Sequence, residues 1–135
     1  MDFGSHPFPE QELPLVPHPE KPIILTLNLQ LDTSLNVAHL DVRAQARTVD
    51  GESLYIHYSG ILKIDDAGAK VLAWAKDAKT TNFGDHEWFS APIVETSSEK
   101  FKWVETTLFV GEGRFIVEDN GASEAVEYEI YKVVN

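Results

Sequence analysis

From Ile23 onward the chain alternates. Ile23, Leu25, Leu27, Leu29 and Leu31 interleave with Ile24, Thr26, Asn28, Gln30 and Asp32. A two-residue period with one apolar face predicts a half-buried strand, and Asp32-Thr33-Ser34 predicts the turn that ends it. Two further strands, about 38–48 and 52–64, flank Val49-Asp50-Gly51. The side chains choose the register of this hairpin. A two-residue Asp-Gly turn would set Arg43 opposite Tyr58 and mix polar with apolar residues on both faces. A type I turn with Gly51 in the bulge sets Arg43 opposite His57, Gln45 opposite Tyr55 and Asp41 opposite Ser59. Leu40, Val42, Ala44, Ala46, Leu54, Ile56, Tyr58 and Leu62 then share one face, and the second register is adopted.

The period changes between Asp66 and Ala78. Val71, Leu72 and Ala75, with Ala78 beyond them, predict a short helix that Asp65 or Asp66 caps. Strand signals return at Glu87–Glu95, where Pro92 suggests an edge or a bulge. Residues 101–118 read as one long strand or a bent pair, with the bend at Gly111 and Gly113. Asp119-Asn120-Gly121 turns the chain into a last strand, Ala125–Val134. The predicted fold is mainly all-β: an antiparallel barrel of about seven to eight strands with one short helix near 66–78. Residues 1–22 hold six of the seven prolines. They read as an extended proline-rich arm ahead of a single barrel domain, 23–135.

Composition narrows the function. A chain of 135 residues fits one domain. Its net charge of −11, with no basic cluster, argues against nucleic acid and anionic lipid as partners. No cysteine is present, so disulfides, thiolate metal sites and a cysteine nucleophile are excluded. The first residues lack a signal-peptide pattern and no apolar run approaches a membrane span, so a cytoplasmic protein is expected. No nucleotide, flavin or metal motif is visible, so no cofactor is expected. His86-Glu87 lacks the second histidine of a zinc helix, and Gly111-Glu112-Gly113 lacks the third glycine of a dinucleotide loop.

Two faces carry candidate chemistry. The polar face of the hairpin offers an ionised Asp41 held by Arg43, with His57 across the strand pair as proton carrier and Tyr55 alongside. The bland reading of that face is a solvated sheet surface, where such pairs contribute about 0–1 kcal/mol. On a strand 101–109, Phe101, Trp103, Glu105, Thr107 and Phe109 would line one face. Aromatic planes interleaved with a carboxylate suit a flat, oxygenated molecule; plain aromatic core is the alternative.

Leu40-Asp41-Val42-Arg43, Asp50-Gly51 and Tyr55-Ile56-His57-Tyr58-Ser59-Gly60 resemble a family of small microbial proteins, domain of unknown function 3237, also called uncharacterised protein family 0311. Its second hallmark is similar to Phe89-Ser90-Ala91-Pro92-Ile93-Val94-Glu95-Thr96, followed by Phe101-Lys102-Trp103 and Leu108-Phe109-Val110-Gly111. The resemblance spans about residues 37–134, and the helix insertion with the Glu87–Phe89 context looks like fungal members. It implies a compact antiparallel barrel. It also implies a link to fungal natural-product pathways, where a relative closes an oxygen ring by adding a hydroxyl across an alkene. Two features depart from the family pattern. There is no counterpart to its Gly-Gly segment before the Asp-x-Arg strand, and Glu105 stands where Asn often follows the Trp.

The resulting expectation is a cofactor-independent cyclase or isomerase of secondary metabolism, acting on an aromatic or polyketide-like intermediate. Asp41 or His57 would be the base, Tyr55 or Glu105 the acid, and Arg43 the holder of oxyanion charge. Trp88, Phe89, Trp103 and Phe109 would clamp the ring system. A non-catalytic barrel that carries a hydrophobic small molecule is the alternative. The proline-rich arm and the uncovered edge strands point to a homodimer.

Overall fold

The computed structural model describes residues 2–3, 24–121 and 123–135, so the expected proline-rich arm lies almost entirely outside the described residues. The strands are β1 (Asp2–Phe3), β2 (Ile24–Asp32), β3 (Val37–Arg47), β4 (Ser53–Lys63), β5 (Trp88–Thr96), β6 (Phe109–Glu118) and β7 (Ser123–Val134), with one α-helix, α1 (Asp66–Leu72). From β2 to β7 the chain runs as an antiparallel meander, each strand beside the next, and β1 adds two residues outside β7. The sheet is barrel-like and open, with β2 at one edge and β1 and β7 at the other.

The β3–β4 hairpin takes the register that the sorting of side chains predicts. Arg43 lies opposite His57, Gln45 opposite Tyr55 and Asp41 opposite Ser59. Gly51 sits at φ +86°, in the left-handed region a bulge glycine occupies at low cost. Thr48 closes the turn by accepting, at its carbonyl, the amide of Gly51 at 3.0 Å.

Burial alternates along β3 and β5 and places the even-numbered residues inside. Ala38, Leu40, Val42, Leu62, Trp88 and Phe115 form one core cluster with Val71 of α1; Ala46, Leu54, Val94, Val104 and Phe109 form a second. The rings of Tyr58 and Tyr128 meet with centroids 5.2 Å apart. Their strands, β4 and β7, are separated by β5 and β6, roughly 14 Å along a flat sheet at ordinary strand spacing. The sheet therefore curls, and the even face is its concave, filled side.

The helix is shorter than the apolar stripe suggests. Asp65 caps it, its carboxylate accepting the Gly68 amide at 2.8 Å. Trp74 then adopts φ +54°, which reverses the chain and stops helical bonding at Leu72. Ala75 and Ala78 still pack on the core from the turns that follow, which explains why the periodicity runs past the helix.

Residues 101–118 are not one strand. Lys102–Thr106 form a 3-10 helix before β6 begins. The Val104 amide bonds the Phe101 carbonyl, and the Thr107 amide the Val104 carbonyl. Lys102 and Glu105, three apart, pair at 2.9 Å along the same turn. Gly111 and Gly113 do not bend β6. They leave room on its buried face, where a Cβ at Gly113 would sit 2.5 Å from the Trp88 indole. Pro92 is central in the sheet order, in β5. The Lys63 amide bonds the Glu87 carbonyl, so odd-numbered β5 residues face β4. The donorless nitrogen of Pro92 points instead to the β6 side, where pairing ends at Ser90.

Candidate active site on the outer sheet face

Odd positions of β3, β4 and β5 point outward, and this convex face gathers Asp41, Arg43, His57, Tyr55 and Phe89. Cross-strand pairing makes the neighbourhood: Arg43 beside His57, His57 beside Ile93, Ile61 beside Phe89, and Phe89 beside Glu112. Phe89 is 53% exposed and Ile93 62% exposed; Ile61 and Tyr55 are exposed as well. Large apolar side chains standing next to one another in water, rimmed by charge, mark a surface built to be covered.

At its centre is a dyad. His57 Nε2 lies 3.0 Å from Asp41 Oδ1, and Arg43 donates to Asp41 Oδ2 at 3.1 Å. A carboxylate only accepts, so the proton of the neutral imidazole sits on Nε2 and Nδ1 keeps its lone pair. The hydrogen bond from His57, and then that from Arg43, hold the Asp41 carboxyl below the usual aspartate range. These bonds are therefore in force above that range, near pH 4, and are lost as the pH falls through the depressed pKa. Asp41 and Arg43 are each 45% exposed at the side chain and His57 is 37% exposed, so solvent screens the ion pair.

The sheet separates the remaining candidates from this group. Trp88 and Phe109 are core side chains on the concave face, 2% and 0% exposed. Trp103, half-buried, packs on the second core cluster with Phe109 at 6.1 Å between centroids. Glu105 is engaged elsewhere: Oε1 accepts the Thr96 amide at 3.0 Å and Oε2 pairs with Lys102. Those bonds hold its carboxyl below the usual glutamate range. A pocket with Asp41, Arg43 and His57 on one wall and Trp88, Trp103, Glu105 and Phe109 on the other is not what this arrangement provides. The reason is local: as a 3-10 helix, 102–106 no longer alternates sides as the expected strand would. An open depression of about 530 Å³ beside the β2–β3 turn, lined by Gln30, Leu31, Asp32, Thr33, Ser34 and His39, collects none of the candidates.

The concave face holds polar groups that sequence reasoning passed over. Burial pushes the phenols of Tyr58 and Tyr128 upward, Tyr128 further because the neighbouring Tyr58 anion would oppose its own. Behind α1, His86 is fully buried at its side chain. It donates from Nδ1 to Asp65 Oδ2 at 2.5 Å and accepts at Nε2 from the Thr81 hydroxyl at 2.8 Å. Thr81 in turn accepts the Phe115 amide at 3.1 Å. The sequence signal was Asp65 as a cap, which has a second oxygen to spend; nothing local pointed from it to His86. Among the described residues no three metal-ligating side chains converge, and no helix is long and apolar enough to cross a membrane.

Comparison with known proteins agrees with this geometry at the level of fold. The family described as "Protein of unknown function (DUF3237)" matches residues 28–133. No curated protein matches. Three solved structures are similar. A protein of unknown function from Clostridium acetobutylicum shares 20% identity, with TM-score 0.61 over 83% of this chain and 68% of its own. A beta-barrel like protein from Acinetobacter baumannii shares 20%, with TM-score 0.55 over 82% and 65%. A conserved protein of unknown function from Rhodopseudomonas palustris shares 16%, with TM-score 0.64 over 83% and 70%. This chain thus spans about two thirds of the length of each.

Proposed function

We propose a function for this chain, which belongs to the DUF3237 family of unknown function, from its outer sheet face: proton transfer on a small, flat, oxygenated apolar molecule, as a cofactor-independent cyclase or isomerase. The observation that carries this reading is the Asp41–His57 pair at 3.0 Å, set among exposed Phe89, Ile93, Ile61 and Tyr55. Asp41 fixes the imidazole with Nε2 protonated, which leaves Nδ1 as a base. The ring system lies on Phe89 and Ile93 rather than in an aromatic clamp of Trp88, Trp103 and Phe109.

In the ring closure, His57 Nδ1 takes the substrate hydroxyl proton as that oxygen bonds to one alkene carbon. Tyr55, two residues along β4 on the same face, gives its phenolic proton to the other carbon. The imidazolium, stabilised by Asp41, returns its proton to the Tyr55 oxygen, so the sum is an isomerisation. Arg43 holds negative charge developing on oxygen. Placing hydroxyl and alkene in contact supplies part of the acceleration.

The exposure of the dyad favours a second reading, a carrier that binds such a molecule on the same face without turnover. Separate Asp41→Asn and His57→Ala variants decide between the two, assayed for rate and binding on a prenylated phenol. Catalysis predicts losses of about 10²–10⁴-fold in rate with binding retained. Rates within a few-fold of the parent, with binding intact, leave the carrier.

A further inference from the structure

The two edges of the open sheet are guarded differently. β7 carries Glu124, Glu127, Glu129 and Lys132, the charges that keep strand edges from pairing with other chains. β2 carries none from Ile24 to Leu31, and its proline-free sequence Ile-Leu-Thr-Leu-Asn-Leu-Gln-Leu alternates without interruption. Leu29 and Leu31, 38% and 52% exposed, leave the apolar face uncovered at this edge.

Backbone parity shows which groups are free. The amides of Thr48 and Ile64 bond the carbonyls of Glu52 and Asn36, so even residues of β3 bond to β4 and odd ones bond to β2. In the β2–β3 register those odd residues face Thr26, Asn28 and Gln30. The backbone groups of Leu25, Leu27, Leu29 and Leu31 therefore point away from the sheet.

We propose that β2 is a self-complementary edge and that a second copy of this chain pairs with it, antiparallel, about a two-fold axis at Asn28. In that register Leu27 pairs with the partner's Leu29, Leu25 with the partner's Leu31, Thr26 with the partner's Gln30, and Asn28 with itself. Every apolar position meets an apolar one, and every pair but Ile24 with Asp32 is uncharged. A chain of net charge −11 repels its copies, and this edge is where that repulsion is weakest. An isologous contact also closes at two copies, whereas β2 against a partner's β7 would build an open filament. The proline-rich arm is a poorer occupant, since prolines 7, 9, 14, 17, 19 and 22 remove the donors a ladder needs.

The test uses sedimentation of the full chain at micromolar concentration and hydrogen exchange at Leu25, Leu27, Leu29 and Leu31. The parent is expected to be a dimer with these amides protected. Asn28→Lys and Asn28→Asp, each checked for parent-like circular dichroism, set like charges across the axis and should each be monomers with these amides exchanging. Mixing the two variants in equal amounts should restore a dimer. A monomeric parent overturns the proposal; if its β2 amides are nevertheless protected, another segment of the same chain fills the edge. Dimeric single variants, or a mixture that stays monomeric, also overturn it.

Discussion

Trp88→Ala is expected to destabilise the domain by about 3–5 kcal/mol, the range for removing a large buried aromatic. Trp88 is 2% exposed and touches what the curl of the sheet brings together. Its ring centroid lies 4.6 Å from that of Phe115 and 5.5 Å from that of Tyr128, and its indole rests against the bare backbone of Gly113. No small shift refills a space bounded by three strands. Gly113→Ala attacks the same contact from below, with a Cβ placed 2.5 Å from the indole, and is expected to cost about 1–3 kcal/mol by overpacking. Urea titration followed by circular dichroism measures both. A Trp88→Ala loss under about 1 kcal/mol would mean that the concave face is not the core.

His86→Ala is expected to cost about 3 kcal/mol, from the cavity together with the polar partners it strands. The imidazole joins three segments: the α1 cap through Asp65, the 79–85 loop through Thr81, and β6 through the bond from Phe115 to Thr81. It also stands edge-on to Phe115 at 5.4 Å between centroids. Thr81→Val keeps the shape and removes the hydroxyl, so it should lose less, about 1–3 kcal/mol. Chemical denaturation of both variants checks the order. Equal losses would mean that the imidazole contributes packing alone.

The strand pattern was legible because a period of two reports directly on a sheet with one buried side. Arg43 opposite His57 could be chosen from side-chain sorting alone, and the Asp41–His57 contact follows from that register. Two places resisted. Lys102–Thr106 carries alternation that suits a strand, yet i to i+3 bonds and the Lys102–Glu105 pair close it into a 3-10 helix. That change moved Trp103 and Glu105 away from the dyad. The burial of Trp88 was equally hidden. Trp88 and Phe89 are adjacent aromatics in one strand, and only the direction of curl decides which is core and which is surface. The His86 network was invisible for a different reason: its three members come from the helix cap, a loop and the approach to β5, with no period linking them.

The central claim, that ligand chemistry belongs to the outer face, is tested most directly by NMR of the labelled protein during titration with a prenylated phenol. The account predicts saturable shifts at the His57 imidazole and at the methyl and ring signals of Ile93, Ile61 and Phe89, with Trp103 and Tyr128 unmoved. Shifts centred on Tyr58, Tyr128 and Trp103, with His57 unmoved, would place the ligand on the concave face and contradict it.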